Sequence, residues 1–452
     1  MDYPNIFFIV FDTLRKDILP LYGGDSITPN LLEFSKDSAV FENPVAPSPW
    51  TVPSHMSFFS GLYPREHNVH EDLNGDRDSF EKIYNFDGNT IIKKLKNFGY
   101  NTIGFSTNPW LSPASGFDRN YNSFTFFSSE YIPPEELNAV DEYKKYGKNR
   151  YQAAINLIIH GKYKEFKKYY DIHKRILKRK EEMNYPYMKG SDLIVSSIEN
   201  SSYEEPFFMF MNFMEVHEPV SKWELDQDDR KIKYLDLSGK KIIPENLMNE
   251  TRRDYKFAMN KLDEQFGRFI KFLKKSKMYE KSLIIVLSDH GQAMKEKRNF
   301  PYYGHGNFLY NEIIEIPLIV KFPGNRKIEI KKGYQSLTSI PRLIENVIDG
   351  NIQDAITEEI AFSESFGPVH DLIGLTKSGI LPKEINAEEM IKKMFYPKKA
   401  IYKNGYKLVI NGSTGGIDEF SYNGKEAEPK KEILDDLKNE LEIFKGNEKF
   451  VI

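Results

Sequence analysis

The sequence contains no cysteine among its 452 residues. A disulfide framework, a thiolate zinc site and a cysteine nucleophile are therefore all excluded. Neither sign of charge is in marked excess: 63 Lys and Arg stand against 66 Asp and Glu, a formal net charge of −3. Dedicated nucleic-acid binders carry a basic excess, so no nucleic-acid partner is expected. Long apolar runs are also missing. The opening MDYPNIFFIVFDTLRKD has one from Ile6 to Phe11, too short for a signal peptide or a membrane span, and Asp2 stands where a signal peptide would be positive. The run over 207–213 is only strand-sized. These absences point to a cytoplasmic protein without a membrane anchor; they leave a homo-oligomer open.

What is present is the composition of a folded enzyme-sized chain, 40% hydrophobic and 29% charged, which supports a sizeable core rather than disorder. Residues 5–11 are continuously apolar, aromatic and β-branched, the pattern of a fully buried strand. Thr28-Pro29 opens a helix with Thr as N-cap and Pro at the first position. Residues 89–98 read as a helix stopped by Gly99, and 100–106 as the next strand. Residues 207–213, 283–288 and 316–322 are further strands. Between the first two, a helix over about 249–276 places Phe257, Leu262, Phe266, Phe269, Ile270 and Leu273 on one stripe. Alternating strands and helices predict an α/β fold, a three-layer α/β/α sandwich with a mostly parallel central sheet. Beyond Asp349-Gly350 the rhythm changes to short strands (358–362, 399–402, 406–410, 417–420) and a charged helix over about 428–444. The expected division is thus a catalytic domain over 1–350 and a small C-terminal antiparallel-sheet subdomain over 351–452. A Lys/Tyr-rich helical insertion over 130–185 interrupts the first; a solvated charged face is the favoured reading, a basic lid steering an anionic substrate the sharper one.

Polar residues follow several of these strands, where ligands of parallel sheets collect: Asp12, Asn108, His217 and Asp289-His290. Each has an ordinary explanation taken singly. Asp12 could cap a helix, and Thr51 could cap the helix that Pro53 begins, although a helix N-terminus also suits an anionic ester and a developing alkoxide. Asp289-His290-Gly291 pairs a hard oxygen with an imidazole in one turn, which favours a metal. Tyr303-Gly304-His305-Gly306 adds a polar glycine-rich loop.

Taken together and in order, these segments resemble the alkaline phosphatase superfamily, in particular its sulfatase, phosphonate monoester hydrolase and lipoteichoic acid synthase branches. The sulfatase signature runs Cys or Ser, any residue, Pro, Ser, Arg, then Thr/Ser-Gly and Pro. This chain has Thr51-Val52-Pro53-Ser54-His55, then Ser60-Gly61 and Pro64. The resemblance implies that Asp12, Asp289 and His290, completed by the Thr51 oxygen, bind a divalent cation (Mn, Mg, Ca or Zn). It implies that Thr51 is the nucleophile toward a small anionic ester, that His217 is the general acid with His305 second, and that Asn108 holds a substrate oxygen where sulfatases carry a lysine. His55 replaces the signature arginine, and Asp12-Thr13 replaces paired aspartates. Sulfatases oxidise Cys or Ser to formylglycine, which threonine cannot become. The departures therefore favour a phosphate-type (di)ester hydrolase. Alternatives are a literal sulfatase, a phosphoglycerol or phosphoethanolamine transferase, and a catalytically inactive binding module.

Overall fold

The computed structural model describes residues 3–71, 79–128, 143–147, 150–182, 184–225, 227–296, 301–353, 356–369, 372–377, 381 and 384–452. Its centre is a seven-stranded sheet of β1 (Ile6–Phe11), β2 (Ala39–Val40), β3 (Asn101–Ser106), β4 (Ser123–Phe126), β5 (Phe207–Phe213), β6 (Leu283–Leu287) and β7 (Leu318–Lys321). The strand order is β2-β7-β6-β1-β5-β3-β4. β1 runs parallel to both β5 and β6, and β3 parallel to β5 and β4, while β7 is antiparallel to β6 and β2. Every residue of β1, β5 and β6 is buried, which is why these strands read as unbroken apolar runs rather than alternating ones.

The pleat divides β1 between two cores. Phe7, Ile9 and Phe11 face a layer built on the long helix Glu245–Lys275, with Phe7 against Phe269 and Phe11 against Phe266. Ile6, Phe8 and Val10 face the opposite layer, where Phe8 meets Phe58 and Phe59 of the helix Thr51–Ser60 (α1). Each such ring buried contributes roughly 1.5–3 kcal/mol. The long helix corrects one expectation: Phe257 is 39% exposed and meets Tyr187 edge-on. Tyr255, Ala258 and Met259 are the buried apolar residues of that turn, because the stripe set by Leu262, Phe266 and Phe269 runs through them and leaves Phe257 off it.

A separate five-stranded antiparallel sheet follows, with β8 (Ile360–Ser365), β9 (Lys398–Lys403), β10 (Tyr406–Asn411), β11 (Ile417–Tyr422) and β12 (Lys425–Glu426) in chain order. One face carries Ile401, Leu408, Ile410 and Phe420 against Leu437 and Leu441 of the helix Lys431–Lys445. The other presents Ala361, Ala400, Tyr402 and Val409 to the same core as Phe8 and Val10. A short three-stranded sheet, Pro44–Val45, Tyr334–Ser336 and Thr357–Glu358, was not foreseen; its strands are too brief to show periodicity. In the insertion, the helices Arg150–Ile159 and Tyr163–Glu182 close a small core of Tyr143, Leu157, Ile172 and Ile176; residues 130–142 fall outside the described residues. Among the described residues, no helix is long and apolar enough to cross a membrane.

The end of α1 is clamped by a buried histidine. The Val69 N–H donates to His67 Nδ1 (3.0 Å), so the ring proton lies on Nε2 and is donated to Ser57 Oγ (3.0 Å). Burial pushes the His67 imidazole down to about 3, since charging it would desolvate a cation and break the Val69 bond. The unfolded chain therefore binds one more proton than the folded one between about pH 6.5 and 3, and stability is lost as pH falls through that window. The substitution His67→Asn keeps an acceptor for Val69 without the titration. Urea unfolding across this pH range should show a slope of stability against pH that is shallower in the variant by about 1.4 kcal/mol per pH unit; identical slopes would show that His67 is not the titrating group.

Candidate active site

The C-terminal ends of the parallel strands bring Asp12, Asp289 and His290 together: their ligand atoms lie within 4.8 Å of one another, and all three residues are buried. Asp12 follows β1, and its Oδ2 accepts from the Asn108 amide after β3 (2.8 Å) and the Asn212 amide in β5 (3.1 Å). Burial pushes the Asp12 carboxyl up, but the His217 and His290 imidazoles and the Asn108 amide outweigh it and hold it at about 2. Asp289 Oδ1 accepts from the backbone N–H groups of Thr13 (3.1 Å) and His290 (2.9 Å), while Oδ2 is buried with no hydrogen-bond partner. Burial, and then the charge on Asp12, raise the Asp289 carboxyl well above the ordinary range. Two buried carboxylates facing each other call for a positive charge.

His290 donates from Nδ1 to the Gly291 carbonyl (2.9 Å), which leaves the Nε2 lone pair toward Thr51 Oγ1 (3.3 Å), Asp289 Oδ2 (3.5 Å) and Asp12 Oδ1 (4.0 Å). This is the tautomer a metal ligand needs. The unpartnered Asp289 Oδ2, the Nε2 lone pair and the Asp12 carboxylate form a donor set that fits a divalent cation. The glycine of Asp-His-Gly has a steric cause: a Cβ on Gly291 would fall 2.1 Å from the Glu312 carbonyl oxygen.

Thr51 opens α1 and is 2% exposed, with its hydroxyl at the positive end of the helix. His55, one turn along, donates from Nδ1 to the Thr51 carbonyl (2.8 Å) and stands 3.6 Å from Asp289 Oδ2. Its other face is packed by Phe58, Phe117 and Phe210, and burial pushes it down to about 4. A neutral imidazole thus occupies the position of the signature arginine. Asn108 commits one amide hydrogen to Asp12, and its Oδ1 accepts from the Trp110 N–H (2.8 Å).

A cavity of about 160 Å³ opens at Thr51, and His217, Glu218, Lys233 and His305 are among its lining residues. The rings of His217 and His305 lie 5.0 Å apart, and those of His305 and His290 4.6 Å. His217 is anchored through Nδ1 to the Glu218 carbonyl (2.6 Å), and His305 through Nδ1 to Gln292 Oε1 (2.6 Å). Burial drives His305 well below its ordinary value. The buried Lys189 ammonium fixes the loop behind His217 by donating to the carbonyls of Glu215 and His217, both at 2.7 Å. No described residue of the 130–185 insertion lines this cavity.

Thr13, Asn212 and Gln292 are supporting residues whose roles the sequence reading did not assign. Thr13 adopts φ 67°, a costly conformation for a β-branched residue. It is held there by donating from N to Asp289 and from Oγ1 to Asp12 Oδ1 (2.8 Å), and by accepting from Tyr255 Oη (2.6 Å) at its carbonyl. Asn212 carried a usable signal, the single amide inside the apolar run Phe207–Phe213.

Comparison with known proteins agrees with this arrangement. Residues 4–344 match the sulfatase family model. An endo-4-O-sulfatase of Bacteroides thetaiotaomicron is 23% identical over 397 residues, covering 81% of this chain and 73% of the relative. An arylsulfatase of Clostridium perfringens is 23% identical over 365 residues, covering 73% and 70%. Among solved structures, the phosphonate monoester hydrolase of Agrobacterium radiobacter superposes with a TM-score of 0.63 at 15% identity, covering 98% of this chain and 94% of that one. With residues 4–344 of its 452 matched by the family model, and the fold shared end to end, the chain belongs to the sulfatase family of hydrolases.

Proposed function

We propose that the enzyme cleaves phosphate-type esters, diesters foremost, with Thr51 as the nucleophile. The observation that carries this reading is a threonine, not a cysteine or serine, at the head of α1 and 3.3 Å from His290 Nε2. Formylglycine formation oxidises a primary carbon to an aldehyde, and the threonine β-carbon already bears a methyl group. Direct attack by a hydroxyl needs no such aldehyde. The same methyl group restricts the χ1 rotation of the nucleophile.

Asp12, Asp289 and His290 are the residues that would hold the cation; Mn, Mg, Ca and Zn are all compatible with two carboxylates and an imidazole. When bound, a divalent cation lowers the pKa of a hydroxyl it contacts and offsets the charge of an anionic ester. The chain's own groups do the rest. Thr51 Oγ1 loses its proton and bonds to phosphorus, the P–O bond to the leaving group breaks, and the departing oxygen takes up a proton. His217, tethered through Nδ1 to the Glu218 carbonyl, can hold and pass that proton at Nε2 without turning the ring; burial disfavours a second proton on His305, which stands second. Water then attacks the phosphothreonine and restores Thr51. The curated relatives are mainly sulfatases, so sulfate ester hydrolysis is the second reading.

Thr51→Ala should lower kcat/KM by at least about 10³-fold with an unchanged melting temperature, and Thr51→Ser should retain part of the activity. Mass spectrometry on a slowly hydrolysed phosphodiester should locate a phosphoryl adduct on Thr51. Faster turnover of sulfate esters than of every phosphate diester and phosphonate tested would decide for the second reading. Cation binding is measurable apart from turnover: saturating Mn or Zn should stabilise the folded chain by about 2.7 kcal/mol at 100 times the dissociation constant. Asp289→Asn should abolish most of that gain, and an unchanged thermal shift would remove Asp289 from the site.

A further inference from the structure

The cavity at Thr51 is not built like a sugar site. Its described wall holds six aromatic residues besides the histidines, among them Trp50, Trp110, Tyr302 and Phe395, together with the aliphatic Leu237, Val369 and Leu372. Trp50 and Trp110 meet edge-on with ring centres 5.7 Å apart. The polar side chains of the wall are engaged within the protein. Lys233 Nζ donates to Glu218 (2.8 Å) and Glu224 (2.9 Å), and Glu218 also accepts from Gln292, which lies behind the wall (3.1 Å). Tyr302 Oη donates to the His305 carbonyl (2.7 Å), and Tyr303 Oη to Glu224 (2.5 Å). The Asn307 amide donates to Ser365 Oγ (3.2 Å) and the Gly367 carbonyl (3.1 Å), and its oxygen accepts from Lys398 (2.8 Å). Among the described side chains of the wall, the Nε2 atoms of His217 and His305 and the Thr51 hydroxyl are the polar groups left to meet a ligand, and these serve the reacting ester.

Size points the same way. About 160 Å³ is close to the roughly 150 Å³ of an apolar protein cavity that holds one benzene, and below the ~300–1,000 Å³ usual for small-molecule sites. Val369 lies directly on the backbone of the His305 loop, since a Cβ on Gly306 would fall 2.4 Å from its Cγ2.

We propose that this cavity receives the leaving group of the ester, and that this group is a compact apolar alcohol about one ring in size, not a saccharide. The inference rests on Thr51 acting on a phosphate-type ester. A sugar would bring hydroxyls into a wall whose polar groups are already paired, and unpaired polar groups are what such sites reject.

The test uses the metal-loaded full chain and three diesters: methyl benzyl phosphate, methyl glucos-6-yl phosphate and dimethyl phosphate. Benzyl alcohol and glucose are both primary alcohols, so the comparison reads the pocket rather than the leaving group's chemistry. Release of benzyl alcohol should exceed release of glucose by at least about tenfold in kcat/KM, and Trp110→Ala should reduce the benzyl-to-methyl ratio several-fold. A binding arm by calorimetry uses benzylphosphonate and glucose 6-phosphate. The former should bind at least about tenfold tighter, with the margin reduced in Trp110→Ala. If no ester is cleaved, the hydrolase reading fails while the binding arm still decides this one. Glucose 6-phosphate binding as tightly as benzylphosphonate, faster glucose release, or ratios untouched by Trp110→Ala would overturn the proposal.

Discussion

Two carboxylates, Asp12 and Asp289, are buried side by side at the end of the sheet, and much of the surrounding structure answers their charge. Amides from Asn108 and Asn212 and the Thr13 hydroxyl turn toward the first; backbone N–H groups of Thr13 and His290 turn toward the second. Even so, Asp289 keeps an oxygen with no partner. Without a cation, burial and the charge on Asp12 push the Asp289 carboxyl toward its protonated form. Cation binding is therefore coupled to the release of that proton.

The parallel sheet makes this proximity inexpensive to specify. β1, β5 and β6 are neighbours in register, so the residues that follow them emerge at one edge whatever their separation in sequence. The backbone then closes the gap at a cost. Thr13 is held at φ 67°, worth roughly 1–3 kcal/mol, and its three hydrogen bonds to Asp12, Asp289 and Tyr255 fix that conformation. Arg15 adds a second tie between the two loops by donating to the Gln292 carbonyl (3.1 Å) while pairing with Asp17 and Glu296.

The strands were legible in the sequence because they are local, whereas the grouping of Asp12, Asp289 and His290, which the structure brings together, followed from the family resemblance. Continuous apolar runs of five to seven residues ending in Asp, Asn or His declare buried parallel strands and their active ends. What was not legible depends on contacts across the fold. Phe257 satisfies a helical stripe as well as Tyr255 does, and only the sheet's position tells which is covered. His55 aligns with an arginine in the motif, but its neutrality comes from Phe58, Phe117 and Phe210 closing over it. The partners of Lys233 and Asn307 lie up to 91 residues away, a separation at which periodicity carries no information.

Both faces of the antiparallel sheet are covered, one of them by the main core. That arrangement sets a timetable for the growing chain. Thr51, the carboxylates and both cavity histidines precede residue 306, yet Ala400, Tyr402 and Val409 complete the core that holds Phe8, and Lys398 secures the Asn307 loop. A chain synthesised only that far exposes the apolar face that these later strands cover. The wall of the cavity at Thr51 and the hydrophobic interior are thus finished by the same strand, β9, which follows Thr51, the carboxylates and the cavity histidines in the chain.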